Sequence, residues 1–373
     1  MDLTDESLLM RVPHKILEEA YRAGLESDEK ARSGTLIHVD QATIYSKINE
    51  AFQGKVEIMD TKDAIKKYSW LENYRWRLIN QDRDEFTKKV AEEFSGGYFM
   101  RILPGAEVIF PLQACLMITK SGFEQRIHNI IIAEEGSKSH IISSCTQHFE
   151  ADKASHIGIS EFYVRKGATL NFTMIHSWSE ETLVRPRSAA VIEDGGEFVS
   201  NYLCLRPVKD IQMYPVAFCN GEGAKVIFNS IIYGIKNSLL DVGSRAVLSG
   251  KGSRAELISR ALSKGGSKVI VRGMIEGNSS ECKGHLECKG LMLDDESIIQ
   301  SIPELIVRKS GAEITHEAAV GKISEKEILY LMTRRLSYDK AISTIIRGFM
   351  DIGIMGLPKP LIEEVNKIVD IIT

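Results

Sequence analysis

Neither sign of charge dominates this chain: 47 Lys and Arg stand against 51 Asp and Glu in 373 residues, a formal net charge of −4 with pI about 6.2. Such a balance gives no global attraction for phosphate backbones or anionic membranes, and a nucleic-acid partner is not expected. No segment approaches the ~20 apolar residues needed to span a bilayer, so no membrane association is expected either. The opening "MDLTDESLLM" has no basic stretch leading into an apolar one, and the expectation is a soluble, cytoplasmic protein. Six cysteines, Cys115, Cys145, Cys204, Cys219, Cys282 and Cys288, are too sparse for the disulfide framework of a small secreted fold, which leaves free thiols or metal ligands. GxxxxGK[ST], HExxH and GxSxG are all missing, so nucleotide hydrolysis, zincin and serine-hydrolase chemistry have no support.

Helical stripes are also missing, from about Phe99 to Ala318. In their place stands a repeat. Glycines that follow a polar residue and precede an alternating apolar run recur at Gly105, Gly136, Gly167, Gly195, Gly223 and Gly252, at intervals of 31, 31, 28, 28 and 29 residues. A period of this length marks a solenoid. Within a unit such as "KVIVRGMIE", Val269, Val271 and Ile275 point one way and Lys268, Arg272 and Glu276 the other, the pattern of a strand with one buried face. Little room is left for the helix of a helical repeat. The predicted fold is mainly β: a parallel β-helix over residues 97–319, with strands stacked rung on rung and glycines turning the corners.

The flanks read differently. Residues 1–96 mix helical patterns, "HKILEEAYRAGL" and the charged "WLENYRWRLINQDRDEFTKKVAEEF", with a strand-like "GTLIHVD", and predict an α-rich cap. Residues 320–373 predict a small helical domain. Its first helix opens with Ser324 and Glu327 in capping-box spacing, its second carries Ala341, Ile345 and Phe349 at helical intervals, and a third follows Pro360 with Leu361, Val365, Ile368 and Ile372 on one stripe.

Two groups of residues are candidates for chemistry. "ECKGHLECKG" offers Cys282, His285 and Cys288, soft ligands for a metal. On one strand the two cysteines share a face roughly 20 Å apart at ~3.3 Å per residue while the histidine faces away, so all three cannot hold one ion. Free cysteines are commonly small buried hydrophobes, and Cys115, Cys204 and Cys219 are expected to be that. The second group is His316 and Glu317 in "GAEITHEAAVGKIS", where the alternating region gives way to a helix start; a solvated rung end would account for them equally well.

Several blocks together, "GGYFMRILPGAEVIFPLQACLMI", "FEQRIHNIIIAEEGSKSHIISSCT", "YPVAFCNGEGAKVIF", "SIPELIVRKSGAEITHEAAVGKISEKEILYLMTRRLS" and "IIRGFM", resemble the SufB/SufD family of iron–sulfur cluster assembly proteins from about Gly96 onward. The resemblance implies a right-handed parallel β-helix between helical segments, dimerising through its last rungs with itself or a paralogue. It implies a C-terminal helical domain that docks SufC, an ABC-type ATPase, and a transient iron–sulfur cluster formed where two subunits meet. It places the family's His–Glu pair on His316 and Glu317, and a cysteine associated with sulfur entry on Cys145. The family's other cysteine falls on Ser297, so Cys288 and Cys282 are the expected replacements. The family's "RGL" turn reads Arg334, Arg335, Leu336. Thiolate suits such chemistry, and imidazole or carboxylate can complete a coordination sphere meant to be given up.

The expected function is therefore a non-enzymatic assembly scaffold. Two alternatives stand beside it: a structural, partner-binding solenoid without cluster chemistry, which the serine at 297 favours, and a β-helix carbohydrate-active enzyme. The latter calls for acidic residues at the rung period on a strand face, whereas Glu134, Glu135, Glu193, Asp194 and Glu222 stand at corners beside glycines.

Overall fold

The structure, a computed structural model, describes residues 12–148 and 150–352. The helix expected after Pro360 lies outside these residues. From Glu124 the chain shuttles between two sheets. One stacks Glu124–Ala133, Ser155–Val164, Arg187–Ile192, Val216–Cys219, Leu239–Leu248, Lys268–Gly277 and Ile298–Val307. The other stacks Lys138–Gln147, Thr169–Ser177, Glu197–Cys204, Lys225–Gly234, Arg254–Ser263, Lys283–Met292 and Glu313–Lys322. Each strand pairs in parallel with the next strand of its own sheet, so the chain is a flattened β-solenoid with a packed lumen.

The period-two pattern explains the stacking. In Lys268–Gly277, Val269, Val271 and Ile275 are buried in the lumen while Lys268 is exposed on the outer wall. The corners follow the glycine series: Gly105, Gly136, Gly167, Gly195, Gly223 and Gly252 all have φ between 62° and 67°, the left-handed region that a side chain disfavours. Their amides form a ladder up one edge, Gly136 donating to the Lys166 carbonyl at 2.9 Å, Gly167 to Asp194 at 2.8 Å and Gly195 to Glu222 at 2.8 Å. One rung breaks the composition but not the geometry. Glu281 holds φ 62° at the next corner and donates to the Gly311 carbonyl at 3.2 Å.

The N-terminal segment contributes strands as well as helices. Gly34–Val39 adds in parallel to Leu112–Ile118 and carries the antiparallel Ala42–Ile48, while Val56–Asp60 pairs antiparallel with Tyr98–Ile102, so hairpin-like edges close the first rung. Within the charged stretch expected to be helical, only Glu85–Glu92 is an α-helix, started by a capping box between Asp84 and Thr87. The reason lies in the core: the fully buried Glu161 carboxylate accepts the backbone N–H groups of Trp76 at 2.7 Å and Leu78 at 2.6 Å and pairs with His128 Nε2 at 2.9 Å. Donors directed at a buried carboxylate are lost to a helix ladder.

At the other end, helices Glu325–Thr333 and Tyr338–Met350 follow the last strand. Ser324 is the N-cap of the first without a side-chain cap bond, whereas Ser337 caps the second through the Lys340 N–H. Arg335 sits between them at φ 70°, the left-handed conformation that glycine adopts most readily. Ile346 and Met350 pack with Leu205, Ile231, Tyr233 and Leu262 on the outer wall of the solenoid. The second helix thus runs back along the side and leaves the end of the stack uncovered by any described residue.

Candidate functional site: the open end of the solenoid

The last rung consists of Ile298–Val307 and Glu313–Lys322, each paired on one side only, with Lys268–Gly277 and Lys283–Met292. Among the described residues its other edges have no strand partner, the kind of edge that takes up another chain. Register assigns the faces. His316 is opposite Leu286 and Ala318 opposite Cys288, both in the lumen, so His316, Ala318 and Val320 face inward at the mouth. Across from them stand Ile299, Ser301, Pro303, Leu305 and Val307, opposite the lumenal Val269, Val271, Gly273, Ile275 and Gly277. With no described residue stacked above, this apolar row is exposed: Val307 is 53% exposed, Leu305 and Val320 41% each, and Ile298 on the outer side 54%.

Cys288 lies one rung in, under Ala318 and only 1% exposed. Burial pushes its thiol pKa up, partly offset by the nearby Ser301 hydroxyl. Cys282 is fully buried at the preceding corner, its thiol directed at the Ser279 carbonyl at 3.0 Å. The two are on the same lumenal face, as the alternation requires. Among the described residues His316 makes no hydrogen bond, so its ring is free at the mouth.

Glu317 does not share that space. Adjacent strand residues point to opposite faces, and Glu317 belongs to the outer wall, opposite Glu287. There it lies with His285 and Glu287, whose ligating atoms and its own are all within 4.8 Å of one another. Lys289 already occupies this group: its ammonium is 2.7 Å from Glu287 and 3.1 Å from Glu317, and Arg260 also pairs with Glu287. Desolvation works to raise the Glu287 pKa, but hydrogen bonds from Lys289 and Arg260 outweigh it and hold the carboxyl below its ordinary value. His285 is tied to Thr315 Oγ1 at 2.9 Å.

Ser297 is a corner residue. Its N–H donates to Asp294 at 2.8 Å and its hydroxyl accepts from the Gly266 N–H at 3.1 Å, so it is used structurally rather than held toward the mouth. Cys145 is remote: its strand is six places from the last in the same sheet, roughly 29 Å at ~4.8 Å per strand, and no one site includes it and Cys288. Cys115, Cys204 and Cys219 are fully buried, as expected of small hydrophobes.

Residues 116–349 match the family model described as SUF system FeS cluster assembly, SufBD core domain. The chain belongs to the SufBD family of iron–sulfur cluster assembly proteins. Among similar relatives, an Iron-sulfur cluster assembly SufBD family protein of Archaeoglobus fulgidus is 50% identical over 353 residues, covering 95% of this chain and 94% of the relative. One of Methanothermobacter thermautotrophicus strain Winter is 45% identical over 363 residues, 96% of this chain and 88% of the relative. The Iron-sulfur cluster assembly protein SufB of Bacillus subtilis is 26% identical over 365 residues, 96% and 78% of the two chains.

Sequence reasoning missed one concentration of ligating groups. His156 and His176 stand beside Cys145 in the lumen. Cys145 and His176 are register partners on neighbouring rungs, a relation that tabulating Cys and His at the glycine period would have found.

Proposed function

We propose that this SufBD protein is a non-enzymatic, cytoplasmic scaffold subunit on which a nascent iron–sulfur cluster is built between the open ends of two solenoids, with a SufC-like ATPase docked on the C-terminal helices. The observation that carries the reading is the open last rung, with unpaired edges, an exposed apolar mouth and His316 on its lumenal side, and with Cys288 buried one rung beneath. An isologous contact of two such ends brings each His316 toward a partner's mouth and duplicates every ligand. Cys288 is the thiolate donor nearest that junction, and its raised pKa means that iron must displace the thiol proton on binding. Glu317, on the outer wall of the same rung, is offered across the junction once Lys289 releases it. Cys282 is a reserve donor deeper in the lumen, and Cys145 is too far away to be a ligand of this cluster.

The ATPase side of the proposal rests on the helices. Leu329, Tyr330, Met332 and Tyr338 are exposed by 60%, 57%, 40% and 55%, more apolar surface than two short helices need to leave in water. Since the chain has no phosphate-binding loop, hydrolysis belongs to the partner. The resemblance puts the family's cysteine on Ser297, and the commitment of this serine to a corner favours the partner-binding alternative.

Anaerobic reconstitution with iron and sulfide separates the two. Scaffold chemistry requires His316→Ala and Cys288→Ser to stay folded while retaining much less cluster than wild type, with Cys115→Ser unchanged. A purely structural role for the mouth requires the reverse: a lower Tm for His316→Ala and unaltered iron and sulfide per dimer.

A further inference from the structure

The lumen cluster around Cys145 is a site in its own right. Cys145 and His176 come from neighbouring strands of one sheet and His156 from the facing sheet. The Cys145 Sγ and a ring nitrogen of each histidine all lie within 4.8 Å of one another, and Met174 Sδ is 3.7 Å from that Sγ. The three ligand residues are at most 2% exposed, and with Met174 and Gly158 they line part of a lumenal cavity of about 60 Å3 that continues past Phe198 and Phe228 to Val242.

The surroundings present the right ring atoms. The Gln125 amide nitrogen donates to the Asp40 and Met117 carbonyls, both at 3.3 Å, which fixes its oxygen toward His156 Nδ1 at 2.9 Å. That Nδ1 is therefore the protonated one and Nε2 carries the lone pair. His176 Nδ1 is 3.0 Å from the Tyr202 hydroxyl, whose oxygen can accept the ring proton and leave the lone pair on Nε2. Among the described residues neither Nε2 has a hydrogen-bond partner. Gly158 keeps the approach clear, since a Cβ there would come within 3.0 Å of His156 Nε2. Histidines anchored through one nitrogen by an acceptor and open at the other have the second shell of a metal ligand.

We propose that the lumen binds a single thiophilic transition-metal ion through Cys145 Sγ and the Nε2 atoms of His156 and His176, with Met174 Sδ as a weak fourth donor. Two imidazoles, a thiolate and a thioether select zinc(II), copper(I) or iron(II) and reject magnesium and calcium, which require oxygen ligands. Burial already keeps both rings neutral, with His156 pushed down to about 3, and it raises the Cys145 thiol, so binding releases one proton as the S–H bond gives way to S–metal. The outer-wall group of His285, Glu287 and Glu317 lacks this character because Lys289 fills it.

The site is independent of the open-end reading, and cobalt(II) is the probe. Untagged, chelator-treated full-length protein is titrated with cobalt(II) and followed by absorption. The expected result is one equivalent bound with thiolate-to-cobalt charge transfer, a band lost in the near-isosteric Cys145→Ser and an affinity at least tenfold weaker in His176→Gln. Both variants should keep the wild-type circular dichroism, and the band should survive in Cys288→Ser and His316→Ala. Displacement by zinc(II), or anaerobically by iron(II) or copper(I), identifies the ion preferred. A wild type without the band, a band unchanged in Cys145→Ser, or cobalt that none of the three ions displaces would overturn the proposal.

Discussion

The corner at Glu281 allows the solenoid's construction to be tested in both directions. Gly167 holds φ 63° with nothing within 4 Å of where a Cβ would stand, so Gly167→Ala has no clash and acts through backbone conformation alone. The left-handed region costs an L-residue roughly 1–2 kcal/mol. The alanine recovers about 0.4–1 kcal/mol by restricting the unfolded chain, which leaves a net loss of about 1 kcal/mol. Glu281 has φ 62° at the equivalent corner, so Glu281→Gly runs the same sum backwards. Its pair with Lys251, 3.5 Å apart and more than half exposed on both sides, contributes little that the substitution would lose. Urea unfolding followed by far-ultraviolet circular dichroism should give a lower midpoint for Gly167→Ala and a higher one for Glu281→Gly at unchanged slope. Midpoints that move in the same direction would refute the corner argument.

Two further outcomes follow from specific contacts. Burial lowers the His140 pKa from 6.5 to about 4, so between those values the unfolded chain takes a proton that the folded one refuses, and stability falls as the pH drops through that window, by at most about 3 kcal/mol. His140→Gln can keep the 3.1 Å bond to Thr173 Oγ1 and should flatten that part of the pH dependence of Tm, whereas an unchanged slope would show that His140 does not titrate differently on folding. Leu329→Asp with Tyr330→Asp should abolish co-purification with the cognate ATPase and leave Tm within a few degrees, since both side chains are exposed; retained binding would remove the helices from the docking surface.

The β-solenoid was legible because two independent periods agree: alternation fixes which residues enter the lumen, and the glycines fix where it turns. In the N-terminal segment the helix His14–Arg22 and the strand Gly34–Val39 were legible, but "WLENYRWRL" was not, because Glu161 is far away in sequence and nothing in that stretch announces that its backbone donors are claimed by a distant carboxylate. Glu281 escaped the glycine series for a related reason: a corner requires a φ, and glycine is only the residue that adopts it most readily. At the mouth, the alternation that separated His285 from Cys282 and Cys288 also separates His316 from Glu317, so neighbours in sequence form no pair in space. The lumenal histidines carry no local motif at all. They meet Cys145 only through the stacking of rungs, which becomes visible once the register is known.

The central claim is that cluster assembly needs two open ends together, and the dimer itself is the variable to manipulate. Val307 and Val320 face solvent at the mouth, 53% and 41% exposed, so Val307→Asp with Val320→Asp should leave the solenoid folded while placing like charges where two mouths would meet. Sedimentation velocity combined with iron and acid-labile sulfide analysis after anaerobic reconstitution gives oligomeric state and cluster content on one preparation. The account predicts a folded monomer that retains almost no cluster beside a wild-type dimer that does; a monomer carrying as much iron and sulfide per chain as the wild type would contradict it.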